Sequence, residues 1–282
     1  EVFSHWLGVL PAPLVDTQRA AALLGMDSGM SYRAMVADFF EIDLPKDETQ
    51  SDWLHRPLSE SQADYAAQDV ISLHPIGSRL LERATASGRA PWVLEDGARM
   101  TPGGKAPITK FKSAYKLSDA QQCALVAAVD WREAEARRLD RPRSWILGDK
   151  ILTAIARSVP RSVRELSEIP DMPGGLVRRA GEHLVAAISA ALEGNTPSLR
   201  SQIGPSPLSG AQRQLLGALS ERLDVVATEL GIAPAILMPK ADLEHLIRQQ
   251  SDISLVSPAT WSGWRSEVIV DPLRHWLSEA TT

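Results

Sequence analysis

Tyr65 and Asp69 are the residues of this 282-residue chain whose types and spacing most directly suggest chemistry. They lie four apart in Ser59-Glu60-Ser61-Gln62-Ala63-Asp64-Tyr65-Ala66-Ala67-Gln68-Asp69-Val70, a spacing that puts both on one face of a helix. A carboxylate can hold a divalent metal while a phenol one turn away positions a water. The same pair suits an ordinary half-buried tyrosine beside a solvated aspartate, and spacing alone favours that plainer reading because such pairs are common on helices.

A helix must carry the pair, and the sequence supplies its start. Ser59 is a good N-cap, and Gln62 completes a capping-box pattern. The apolar positions Leu73, Ile76, Leu80 and Leu81 continue the helix to about Gly88. Residues 44–58, polar and bounded by Pro45 and Pro57, form a loop that delivers the chain to it. Upstream, Leu14-Val15-Asp16-Thr17 reads as a short buried strand running into a helix over 18–24 that Gly25 closes, the one α/β signal in the chain. A helix over 32–41 follows Ser31 as its cap, with Met35, Val36, Phe39 and Phe40 as its apolar face.

Downstream the pattern dissolves over residues 89–115, where Thr101-Pro102-Gly103-Gly104-Lys105 and Pro107 predict a linker. Residues 116–194 are helical throughout, opening on Ser118 and broken at Asp140-Arg141-Pro142-Arg143, Pro160 and the turn 169–175. Residues 195–207, rich in Pro, Gly and Ser, predict a second linker. Residues 208–280 then repeat the plan, with a long helix from Ser209 to Leu230, a turn at Gly231-Ile232-Ala233-Pro234, and shorter helices near 240–250 and 272–277. The repeat is one of architecture, with weak residue identity.

Composition bounds the remaining classes. Hydrophobic content of 44% and charged content of 23% are ordinary for a globular chain long enough for two or three domains. A net charge of −5 argues against a chain coated in basic residues but leaves local nucleic-acid patches open. Cys123, the single cysteine, sits on an Ala/Leu-rich helix and reads as core; it excludes a disulfide framework or thiolate cluster and makes a cytoplasmic setting the expectation. The six histidines show no metal-binding spacing. No run of about twenty apolar residues is present, so no membrane span is expected. The chain opens on Glu1 with Val2-Phe3 reading as a helix already under way, which suggests a truncated start.

Three stretches together resemble the ribonuclease D family, 3′→5′ exoribonucleases of the DEDD superfamily in its Tyr-containing subclass. They are Val15-Asp16-Thr17-Gln18; the pattern Leu44, Lys46, Glu48, Ser51-Asp52-Trp53 and Arg56-Pro57-Leu58; and Tyr65-Ala66-Ala67 with Asp69-Val70. The last resembles the family's third exonuclease motif, Y-x-x-x-D. The helical repeats resemble paired HRDC modules, the first through Asp130-Trp131-Arg132, Arg141-Pro142-Arg143, Trp145-Ile146-Leu147 and Asp149, the second mostly through Trp261, Gly263 and Trp264-Arg265. The fold implied is mainly α: a C-terminal remnant of an α/β ribonuclease H-like exonuclease domain over 1–88, a linker over 89–115, an HRDC domain over 116–194, a linker over 195–207 and an HRDC-like domain over 208–280.

The resemblance implies two divalent metals, Mg²⁺ or Mn²⁺, clamping the scissile phosphate at an RNA 3′ end. Asp69 would bind the nucleophile-side metal and Tyr65 would orient the attacking water, a role that suits a phenol still protonated at neutral pH. Three further acids of the family precede Asp69 and have no place in this chain: a D-x-E pair on the first strand of the nuclease sheet, and an Asp of the second motif, which is expected just before Glu1. Asp16 belongs to the strand–helix junction, and Asp38, Glu41, Asp43, Glu48 and Asp52 have no better claim. One carboxylate does not hold two metals against water, so this chain alone is expected to be weak or inactive. Its implied substrates are RNAs, tRNA precursors among them, with no membrane or protein partner expected.

Trp53 reads as an anchor of the loop, and Arg56 either faces RNA phosphates or pairs with a carboxylate. Arg137, Arg138, Arg141, Arg143 and Lys150 cluster around one loop and could contact phosphates without regard to sequence. Their acidic neighbours Glu133, Glu135, Asp140 and Asp149 allow a self-neutralised surface instead. The alternative to an enzyme is a non-catalytic nucleic-acid-binding HRDC protein; a helicase piece is disfavoured by the lack of a G-x-x-x-x-G-K-[ST] motif.

Overall fold

The computed structural model describes the chain except residues 1–6, 10, 45–47, 49, 101–105, 195, 253 and 281–282, and the side chains of 196–197. Lys46, part of the loop pattern above, therefore lies outside the described residues. The chain forms two compact units, one joining residues 1–102 with 208–282 and the other comprising 103–207. The described residues contain helices and turns but no strand.

The first segment holds α1 (Thr17–Leu23), α2 (Tyr32–Phe40), α3 (Glu60–Ile71), α4 (Leu73–Ala86) and α5 (Ala90–Ala98). The strand expected at 14–17 does not form. Asp16 is extended, at φ −82° and ψ 114°, but it has no ladder partner and instead caps α1 by accepting from Arg19 N. The long helix expected from 60 to 88 is broken at Ser72, the C-cap of α3 and N-cap of α4. Pro75 accounts for the break: its ring would collide with the Ile71 carbonyl of a continuous helix, whereas in the first turn of α4 its missing N–H costs nothing.

The expected linker over 89–115 is also replaced in part by structure. Helix α5 occupies 90–98, with Val93, Asp96 and Gly97 buried. Pro91 falls at the N1/N2 position of this helix, where it starts a helix and does not break one. Gly97 is required by packing, since a Cβ there would lie 1.7 Å from the Leu14 carbonyl oxygen. Beyond it, 3₁₀ turns at Pro107–Lys110 and Ala114–Lys116 bury Ile108 and Ala114 in the second unit.

The second unit is a helical bundle of α6 (Asp119–Arg138), α7 (Arg143–Ile146), α8 (Asp149–Ser158), α9 (Val163–Ser167), α10 (Gly174–Glu193) and α11 (Thr196–Arg200). Helix α6 is its axis: residues 122–129 are buried all round, because α8, α10 and α11 each pack against it. Cys123 lies within this run, and burial pushes its thiol pKa up. Helix α11 falls in the expected linker over 195–207; Leu199 and Ile203 pack on the core, and Arg200 pairs with Asp119 at 2.7 Å.

The third segment holds α12 (Gly210–Leu230), α13 (Pro234–Leu237), α14 (Lys240–Ser251) and α15 (Asp271–Ala280). It was expected as a module of its own, but it shares one core with 1–102: Leu23, Met35, Ile76, Leu80 and Val93 cluster with Leu219, Leu223, Ile232, Leu246, Trp264 and Ile269. Trp92 stacks on Trp264 at 4.5 Å and 9°. Arg89 donates to the carbonyls of Leu23 and Leu230. Asp96, 6% exposed, accepts from Arg19 at 2.6 and 2.8 Å and from both terminal nitrogens of Arg265. Burial alone would raise the Asp96 pKa, but the Arg265 and Arg19 guanidiniums outweigh it and hold the carboxyl below its ordinary value. No described helix is long and apolar enough to cross a membrane.

Candidate functional site

Helix α3 positions Tyr65 and Asp69, and contacts at its two ends fix it. At the N-terminus the capping box forms as the sequence suggests: Ser59 Oγ accepts from Gln62 N, and Gln62 Oε1 accepts from Ser59 N. Gln62 is buried and also donates to the Asp52 carbonyl at 3.2 Å, tying the preceding loop to the helix. At the C-terminus Tyr32 of α2 donates to the Gln68 carbonyl at 2.6 Å and accepts from Ser72 N at 3.3 Å. One phenol therefore fastens the last turn of α3, next to Asp69.

The loop before α3 wraps onto it. Trp53 is half-buried, donates from Nε1 to the Glu48 carbonyl at 3.1 Å, and sets its ring 5.9 Å from that of Tyr65 at 52°. Trp53 thus anchors the loop, as its type suggests, and holds the Tyr65 ring from one side. Arg56 is exposed and donates from Nη1 to the Trp53 and His55 carbonyls, both at 2.8 Å. No carboxylate pairs with it among the described residues; one nitrogen stiffens its own loop and the rest of the guanidinium faces solvent.

Asp69 is exposed and has no hydrogen-bond or ion-pair partner among the described residues. Four of the other acids in this segment, Glu48, Asp43, Asp52 and Asp16, are engaged. Glu48 accepts from Ser51 and from Ser61 Oγ, hydrogen bonds that hold its carboxyl below the usual range. Asp43 pairs with Arg33, Asp52 accepts from Leu54 N, and Asp16 caps α1. No group of three or more His, Cys, Asp or Glu side chains able to hold a metal forms among the described residues. Asp69 beside the Tyr65 phenol, with no further carboxylates gathered around it among the described residues, does not fit a two-metal centre by itself.

Arg141, Arg143 and Lys150 belong to the second unit, and all three are exposed. The geometry divides their surroundings unevenly. Arg132, 1% exposed, takes Asp149 at 2.6 Å and Glu133 at 3.1 Å, and Glu133 also meets Arg143 at 3.5 Å. Glu135 pairs with Arg138 at 2.7 Å, and the hydrogen bond from that guanidinium lowers its pKa. Arg137, Arg141 and Lys150 are left without an acidic partner among the described residues. The roles of Tyr32, Glu48 and Arg132 were not read from the sequence; Glu48 and Arg132 lay in motifs that could have drawn attention to them, and Tyr32 did not.

Known proteins resemble this chain along nearly its whole length. Residues 1–84 match the family described as 3′-5′ exonuclease, and residues 124–188 match the HRDC domain. Ribonuclease D of Pseudomonas paraeruginosa is 36% identical over 99% of this chain and 76% of its own length. Ribonuclease D of Xanthomonas oryzae pv. oryzae is 36% identical over 93% of this chain and 71% of its own. The crystal structure of Escherichia coli RNase D, an exoribonuclease involved in structured RNA processing, superimposes with a TM-score of 0.79 at 28% identity, covering 99% of this chain and 76% of that one.

Proposed function

The chain belongs to the ribonuclease D family of 3′→5′ exoribonucleases, and from that premise we propose that Tyr65 and Asp69 are its surviving catalytic pair. The observation that carries the assignment is the free, exposed Asp69 carboxylate one turn from a Tyr65 ring held by Trp53, on a helix fastened at both ends. Exonucleases of this family are generally divalent-metal dependent, and Asp69 would contribute a hard oxygen ligand of the kind Mg²⁺ or Mn²⁺ takes. The Tyr65 hydroxyl would donate a hydrogen bond to the attacking water and so orient it, a positioning role and not proton removal. No further carboxylates gather with Asp69 into a metal-holding group among the described residues, and on our reading the chain by itself turns RNA over weakly or not at all.

The substrate is RNA, and we take tRNA precursors with single-stranded 3′ trailers as the natural class, in a cytoplasmic setting. Support for the trailer comes from the exoribonuclease chemistry, which needs a free 3′ end, and from basic side chains of the HRDC unit that lack acidic partners. The test compares the 282-residue chain with a version extended before Glu1 by a segment bearing the D-x-E and second-motif acids, on 5′-labelled single-stranded RNA with Mg²⁺ or Mn²⁺. The extended chain is expected to produce a ladder of 3′-shortened products that Asp69→Asn abolishes and Tyr65→Phe slows. An Asp69→Asn variant that trims at the parental rate overturns the assignment, and vigorous trimming by the 282-residue chain alone overturns its predicted weakness.

A further inference from the structure

The second unit exposes one large apolar side chain, and its placement points to a ligand. Among the described residues of 103–207, Trp145 is the sole exposed large hydrophobic, at 75%. Of the seven described tryptophans the other six are buried or half-buried. An indole left in water forgoes the burial that the others make, so its position calls for a partner.

The frame around Trp145 is rigid. Its flanking residues Ile146 and Leu147 are buried at 6% and 1%, and its backbone N–H donates to the Pro142 carbonyl at 2.9 Å. Leu147 O accepts from the buried Arg132, which also grips Asp149 two residues on. The loop therefore holds the indole outward from a fixed base, without the ordering cost of a mobile side chain on a mobile loop. Cations outnumber free acids around it: Glu133 and Asp149 are taken by Arg132 and Glu135 by Arg138, while Arg141 and Lys150, four residues before Trp145 and five after it, have no ion-pair partner among the described residues, and Asp140 is the one acid of this loop left unpaired there.

We propose that Trp145 is a base-stacking platform for single-stranded RNA, with Arg141 and Lys150 supplying backbone phosphate contacts on either side of it. The proposal rests on the reading above that the chain acts on RNA, and it adds a specific site outside the Tyr65–Asp69 helix. An aromatic face flanked by cations suits an unpaired nucleotide: the ring accepts any base, and the charges track the phosphates. A duplex offers no free base face, so the site discriminates single strands from duplex RNA and not one sequence from another.

The test measures binding of the full chain to a fluorescently labelled single-stranded oligoadenylate and to a blunt RNA duplex, by anisotropy in chelator so that no hydrolysis intervenes. Trp145→Ala is expected to weaken single-strand binding about tenfold, with duplex binding unchanged and Trp145→Phe retaining most of the affinity. Arg141→Ala with Lys150→Ala is expected to flatten the dependence of affinity on salt, the signature of lost phosphate contacts. Single-strand affinity unchanged in Trp145→Ala, or lost equally on both RNAs, overturns the proposal and leaves the indole to some other partner, a protein included. No RNA affinity in the parent chain overturns it as well. Because the binding assay runs in chelator and reads no hydrolysis, failure here is separable from failure of the catalytic assignment.

Discussion

Trp131-Arg132 and Trp264-Arg265 are the same dipeptide in two helical segments, and both arginines are buried, at 1% and 7% exposed. Their partners differ. Arg132 finds Glu133 and Asp149 inside its own bundle. Arg265 finds Asp96, which lies 169 residues earlier on α5 and is shared with Arg19 of α1. A buried guanidinium must be paired, so the location of its carboxylate decides which segments fold together. Where the carboxylate is internal, as for Arg132, residues 103–207 close as a unit. Where it is supplied from outside the segment, as for Arg265, residues 208–282 complete the core of 1–102.

The sharpest way to break this comparison is to remove the carboxylate on which the two distant segments converge. Asp96→Ala leaves the Arg265 guanidinium buried and unpaired, with Arg19 beside it, a change worth about 3–5 kcal/mol. Chemical denaturation followed by two probes is expected to show the transition of the first unit displaced by that amount and the transition of 103–207 unmoved. Equal displacement of both would mean that the two units do not unfold independently. Arg132→Met is the reciprocal change, acting on 103–207 alone. Its expected cost is smaller, about 2–3 kcal/mol, because Asp149 is half solvated and Glu133 keeps Arg143.

Acid sharpens the same contrast. The Asp96 carboxyl is held below its ordinary value in the folded state, so the folded chain binds fewer protons there than the unfolded chain. Its contribution is full above the unfolded value of about 3.9 and is lost as pH falls through the lower folded value. The stability difference between the parent and Asp96→Ala is therefore expected to be constant from pH 7 to 5 and to shrink below about pH 4. A difference that already falls at pH 6 would assign the effect to some other group.

What was legible in the sequence was local. The caps at Ser31, Ser59, Ser118 and Ser209 sit where side-chain chemistry puts them, because a cap is settled within four residues. Tyr65 and Asp69 were legible as a pair on one helix face, and the S-D-W-x-x-R-P-L loop before them gave the pair its meaning. Pro75 was legible in principle, since a proline three residues into α4 is a start signal, but the apolar run at Leu73, Ile76 and Leu80 masked the break. Helix α5 was hidden because the Pro/Gly-rich stretch over 101–107 set the reading for the whole of 89–115, and the need for Gly97 comes from the Leu14 backbone far away in sequence. The Asp96–Arg265 pairing, the hold of Tyr32 on α3 and the solvent exposure of Trp145 depend on tertiary placement. No spacing rule contains them.

The smallest expected effect separates the two bundles with one repeated device. Helices α6 and α12 open on the same Ser-x-x-Gln capping box, Ser118 with Gln121 and Ser209 with Gln212, each with both reciprocal hydrogen bonds. Since the boxes are chemically identical, Ser118→Ala and Ser209→Ala should each cost about 1 kcal/mol, the ordinary worth of an N-cap. Only the transition affected should differ: Ser118→Ala displaces that of 103–207, and Ser209→Ala displaces the one that Asp96→Ala displaces. A Ser209→Ala variant that left that transition in place would mean that α12 frays without loosening the core it shares with α1–α5. The ownership argued from Arg265 would then hold for the end of the segment around Trp264 and not for its first helix.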